Sequence, residues 1–138
     1  MIKEEYVSFE TAKLLKEKGF PQDPNICNTA YTTKGKFSNN AKSFAFNYEL
    51  IKPRLYYVAP TLQMAVKWLR IKHNLCVTPV MASKTLREKY GYWEADIYYH
   101  KGEFAGIDAT INACGHIFGE TPEKVLEEGI KYCLENLI

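Results

Sequence analysis

The chain has 138 residues, 46% of them hydrophobic and 25% charged, with a formal net charge of +2. That is the size and balance of one folded domain, so a wholly disordered chain and a disulfide-stapled miniprotein are excluded. The charge falls well short of the strongly basic footprint that by itself argues for nucleic acid.

Aromatic residues make up 14% and include ten tyrosines. Tyrosine favours half-buried strand positions and wet interfaces, which points to a sheet with an exposed or partner-covered face. The four cysteines, Cys27, Cys76, Cys114 and Cys133, include no Cys-x-x-Cys pair. The segment Met1-Ile2-Lys3-Glu4-Glu5 is charged, unlike a signal peptide, and no apolar run approaches a membrane span. A cytoplasmic protein with reduced thiols and no membrane partner is expected.

The first predicted element is a helix over 9–18. Ser8 suits its N-cap and Gly19 its left-handed end. Phe9, Ala12, Leu15 and Leu14 form its apolar stripe, and Glu10, Lys13, Lys16 and Glu17 its wet face. A loop over 21–25 leads to a strand over 26–33. Lys34-Gly35-Lys36 and Ser38-Asn39-Asn40 read as turns, and the strand returns over 43–50 with Phe44, Phe46, Tyr48 and Leu50 on one face. A short strand over 55–58 follows.

The strongest helical pattern runs from Pro60 to about His73. Leu62, Ala65, Val66 and Leu69 make its stripe, and Met64, Trp68 and Ile71 widen it, so this helix reads as mostly buried with a narrow basic ridge. Residues 75–81 form a strand candidate, with Pro79 placing it at an edge or a bend. The stretch 82–89 is ambiguous between loop and helical turn. Over 90–100, Trp93, Ala95, Ile97 and Tyr99 alternate with Tyr92, Glu94, Asp96 and Tyr98. Lys101-Gly102 reads as a hairpin turn, with its partner strand over 103–112, and Gly115 and Gly119 bracket a loop. Thr121-Pro122-Glu123 opens the last helix, whose stripe is Val125, Leu126, Ile130, Cys133, Leu134 and Leu137. Gly129 interrupts it, and a close approach to another backbone would explain that.

These elements predict a single α+β domain over 1–138. Its order is α-β-β-(β)-α-β-β-β-α: three helices on an antiparallel sheet of about five strands, since short turns join antiparallel neighbours.

Three groups of residues carry candidate chemistry. Asp108, Asn112, Cys114 and His116 share one parity, and a thiol beside an imidazole is the core of a nucleophilic site. Against this, Cys114 and His116 flank Gly115, and two residues apart on a strand is about 7 Å at the backbone. The plainer reading is a small buried cysteine and a loop histidine. His73 and Cys76 have ligand spacing, but no second close pair completes a zinc site. No Gly-rich phosphate-binding pattern is present. No catalytic residue, metal or cofactor is therefore assigned. Nucleic acid has more support. Lys67 and Arg70 lie a turn apart, Lys84, Arg87 and Lys89 follow, and Tyr56, Tyr57, Tyr92 and Tyr98 could present rings beside them. The plainer reading is a solvated charged face.

The segments 4–20, 59–70 and 131–137 resemble a group of small uncharacterised proteins from gut bacteria of the Bacteroides type, their prophages and mobile elements. The resemblance covers the three helices, about a third of the chain. It implies a phage-like or mobile-element setting and no particular activity. The reading reached from sequence is a non-enzymatic protein-interaction module whose partner is an unknown protein or a second copy in a homodimer. The first alternative is a weak nucleic-acid binder using Lys67, Arg70, Arg87, Tyr92 and Tyr98, and the second is a thiol-dependent enzyme at Cys114.

Overall fold

The structure, a computed structural model, describes residues 3–42, 56–83, 91–100, 110–112 and 117–138. The strand expected at 43–50, Arg87, the Lys101-Gly102 turn, Asp108, Cys114 and His116 lie outside them. The fold is α+β, with three helices and antiparallel strands among the described residues. The chain divides into two compact units, Met1–Thr61 and Leu62–Ile138.

In the N-terminal unit, helix α1 spans Phe9–Glu17. The Ser8 hydroxyl accepts from the Thr11 amide at 3.3 Å, so the expected cap is in place. At the other end Gly19 takes φ +94°. The Phe20 amide donates to Leu15 O and the Gly19 amide to Lys16 O. That is a Schellman ending, with Phe20 and Leu15 both buried as its apolar contact.

Strands β1 (Ala30–Thr32), β2 (Phe37–Ser38) and β3 (Tyr56–Val58) form a sheet in the order β2-β1-β3, antiparallel throughout. The expected turn at Lys34-Gly35-Lys36 closes the β1–β2 hairpin, with Gly35 at φ +85° and the Thr32 amide donating to Lys36 O at 2.8 Å. Ser38 belongs to β2, not to a turn. The first strand is also shorter than the pattern suggests. Asp23 O accepts from the amides of Ile26 and Cys27, and Asp23 Oδ1 accepts from the Asn25 amide. That turn takes up the start of the expected strand. Gln22 holds β3 from outside: its side-chain oxygen accepts from the Val58 amide at 2.9 Å, and its carbonyl accepts from the Tyr56 hydroxyl. Thr29, buried, donates its hydroxyl to Ala59 O, and Cys27 Sγ lies 3.2 Å from the same hydroxyl.

In the C-terminal unit, α2 (Leu62–His73) leads into β4 (Leu75–Met81) through Asn74, which sits at φ +56°. Asparagine is the side chain that best tolerates the left-handed region after glycine. Arg70, Lys72 and His73 lie in the last turn, where the helix dipole favours cations. Only Leu62, Ala65 and Leu69 are buried on α2, and Ile71 is exposed, so the helix buries one narrow stripe and not most of its surface. Strand β5 (Trp93–His100) pairs antiparallel with β4 along its length. On its other side β5 pairs with β6 (Thr110–Asn112) and, near its start, with β7 (Phe118–Gly119). Gly119 is thus a strand residue, lying where its Cβ would meet Val125. Pro79 lies on β4, which ends the strand order as expected.

The strands thus fall into two sheets among the described residues, where the alternation suggested one of about five strands. A period of two identifies a strand and its faces but not its partners, and α2 separates β3 from β4.

Helix α3 (Pro122–Asn136) begins at Thr121, whose hydroxyl accepts from the Lys124 amide at 3.1 Å. It packs on β4 and β5 and also touches α2. Gly129 is where it comes nearest the sheet: a Cβ there would lie 2.7 Å from Val77 Cγ1 and 3.4 Å from Ala95 Cβ. The close approach is to side chains of the sheet, not to another backbone.

Substituting Gly129→Ala pits two effects against each other. Helix propensity favours alanine by about 1 kcal/mol. Overpacking against a stiff β-branched valine costs about 1–3 kcal/mol. A net loss of stability is expected, read as a lower urea midpoint with unchanged slope. A rise in midpoint would show that the helix is not seated as described.

Candidate interaction surfaces

The β4–β5 pair has two unlike faces. Val77, Ala95 and Ile97 are buried and meet α3 at Gly129. Their even-numbered neighbours alternate onto the other face. Register places Cys76 opposite Tyr98, Thr78 opposite Asp96, Val80 opposite Glu94, and Glu94 opposite Phe118. Thr78 is exposed and the other side chains of this face are half-buried. Tyr92, mostly exposed, stands at one end of it, where the Ala82 amide donates to Tyr92 O.

Two carboxylates share that face. Asp96 is held above the ordinary carboxylate range, first by burial and then by the charge of Glu94, while a hydrogen bond from Tyr98 works the other way. The face therefore presents aromatic and aliphatic surface around two neighbouring carboxylates.

Tyr98 thus stands beside acids, on the face turned away from α3. Lys67 and Arg70 are exposed on α2, which packs against α3 and β4. Tyr56 is buried and Tyr57 half-buried, and both belong to the N-terminal unit. Cys27, Cys76 and Cys133 are free thiols, and no cluster of three His, Cys, Asp or Glu suited to a metal occurs among the described residues. The ring of His73 packs edge-on against Trp68, 4.9 Å between centroids. No described helix is long and apolar enough to cross a membrane.

A second surface, not anticipated from the sequence, lies in the N-terminal unit. Tyr31 pairs with Phe37 on one side and Tyr57 on the other, so three rings line one face of the sheet. Phe9 meets Tyr31 and Tyr57 edge-on, at 5.6 and 5.7 Å, and Tyr6 meets Phe37 at 5.2 Å. The Tyr31 hydroxyl donates to Val7 O at 2.7 Å, which ties the segment before α1 to this face. Lys13 lies 4.8 Å over Phe9, and Lys16 lies 5.0 Å over Tyr57. Lys16 also donates to Tyr56 O at 3.0 Å, and its burial lowers its pKa. One signal was available in the sequence: a turn centred on Lys34-Gly35 brings Tyr31 and Phe37 opposite each other.

The chain matches no protein-family model, no curated protein and no solved structure.

The raised pKa of Asp96 has a definite sign in stability. The native state holds this proton more tightly than the unfolded chain, so stability falls as pH rises from the unfolded pKa through the folded one. The penalty is complete at neutral pH and absent below the ordinary carboxylate range. Asp96→Asn is expected to raise the urea midpoint at pH about 7 and to leave it unchanged near pH 3. A midpoint lowered at neutral pH would show that the carboxylate is satisfied where it stands.

Proposed function

We propose that the chain is a non-enzymatic protein-interaction module that uses the sheet face carrying Glu94, Asp96 and Tyr98. One observation carries this reading: Asp96 is partly desolvated beside a second carboxylate, on a face that also presents Val80, Tyr98 and Phe118. A cation supplied by a partner would relieve that charge, while the apolar and aromatic side chains supply buried area. The partner that suits this face is a protein with Lys or Arg among apolar residues. A second copy suits it less well, because two such faces would set Glu94 and Asp96 against acids of the same kind.

The resemblance of the helices supports an accessory protein of a phage or mobile element as the setting, and the free thiols agree with a cytoplasmic one. Of the residues in the nucleic-acid reading, Lys67, Arg70 and Tyr92 are exposed and Tyr98 is half-buried.

The test is affinity capture from cells that make the chain, with wild type, Asp96→Lys and Lys67→Gln/Arg70→Gln run side by side. A protein retained by wild type and by the α2 variant, lost from Asp96→Lys and released by salt, supports the proposal. A protein retained equally by all three, or lost only from the α2 variant, overturns it. Sedimentation of the pure chain tests the second copy: dimers that dissociate in Asp96→Lys but not at high salt would move the reading to a homodimer.

A further inference from the structure

We propose that the aromatic surface of the N-terminal unit binds single-stranded nucleic acid, independently of the acidic sheet face. Tyr6 and Phe37 are 40% and 41% exposed, large for rings that touch each other. Both are tied to a rigid base. Tyr6 bridges to Thr61, and Phe37 is paired in β2 against Tyr31. Rings held in place and partly wet can serve as a stacking platform for a nucleobase, at little further cost in side-chain freedom.

Lysines stand around these rings, while Glu4 and Glu5 precede Tyr6 and Glu10 follows Phe9 in the chain. Lys13 sits over Phe9 on the helix side. The hairpin tip rests on the same ring: a Cβ at Gly35 would lie 3.3 Å from Phe9 Cδ1. That contact brings Lys34 and Lys36, both exposed, to the edge of the cluster. The balance of the whole unit agrees. Residues 1–61 carry nine Lys and Arg against six Asp and Glu, a net of +3, while 62–138 carry nine against ten, a net of −1. The modest total charge conceals this division.

The net charge of +3 on this unit and the lysines at Phe9 and the hairpin tip favour an anionic partner over a cationic one. Stacking rings among lysines suit a ligand that offers bases and phosphates together, which a single strand does and a paired duplex does not. An acidic peptide would use the lysines and leave Tyr6 and Phe37 with little to do.

The experiment is fluorescence anisotropy of labelled oligothymidylate and oligouridylate with the full chain, beginning at low salt. Binding to either probe supports the proposal when Phe37→Ala weakens it about tenfold, as expected for loss of one stacked base. The pair Lys34→Gln/Lys36→Gln is expected to flatten the plot of log affinity against log salt by roughly 1 to 1.5 units of slope. Circular dichroism shows whether Phe37→Ala remains folded, and Tyr6→Ala, outside helix and sheet, repeats the test where it does not. The proposal is overturned by no binding of either probe at low salt, or by binding that both ring variants leave intact. Displacement of the probe by polyglutamate at the same charge concentration would also overturn it, in favour of an acidic peptide. Asp96 belongs to the C-terminal unit and is no part of this set of residues, so failure here and failure of the capture experiment are read separately.

Discussion

At Gly129 helix α3 lies so close to its sheet that a single methyl group would reach within 2.7 Å of Val77. The arrangement of the C-terminal unit follows from that approach. A sheet of a few short strands needs cover on at least one face. The glycine lets the helix lie against Val77, Ala95 and Ile97 without a gap. Strand alternation then leaves Glu94, Asp96 and Tyr98 no place but the other face. The acids stand close together because the inward neighbours of each are committed to the core.

The N-terminal unit meets the same need with rings. Its helix is stopped at both ends by its own chemistry, the Ser8 cap and the Gly19 turn, so Phe9 enters at a fixed place between Tyr31 and Tyr57. The strands beneath are only two or three residues long. Much of what holds them is side-chain bonding from outside the ladder: Gln22 to β3, Tyr31 to Val7, and Thr29 to Ala59. Rings too numerous to be buried under so small a helix remain partly wet. One unit thus presents acids among apolar residues and the other presents rings among lysines.

The local features were legible in the sequence, and the partnerships were not. Ser8, Gly19, Thr121 and Pro122 announce helix ends through interactions within a few residues, and all four stand where expected. The inward pair Ala95 and Ile97 follows from alternation alone. Which strands share a sheet depends on contacts between distant segments, for which periodicity has no signal. Lys67 and Arg70 are exposed on α2, and Tyr98 lies on the strand face that carries Glu94 and Asp96. Lys13, Phe9, Tyr31 and Phe37 converge from across a hairpin and a helix. Asp23 shortened the first strand through a side-chain turn that a strand pattern overlooks.

The central claim is that recognition by this chain resides in side chains assembled by each unit and not in the exposed cations of α2. Its most direct test is a titration of isotopically labelled chain with short oligothymidylate, followed by amide chemical shifts. The account predicts shifts gathered at Tyr6, Phe9, Lys13, Tyr31 and the hairpin from Lys34 to Phe37, with α2 and the acidic face silent. Shifts centred on Lys67 and Arg70, or none in the hairpin, would contradict it.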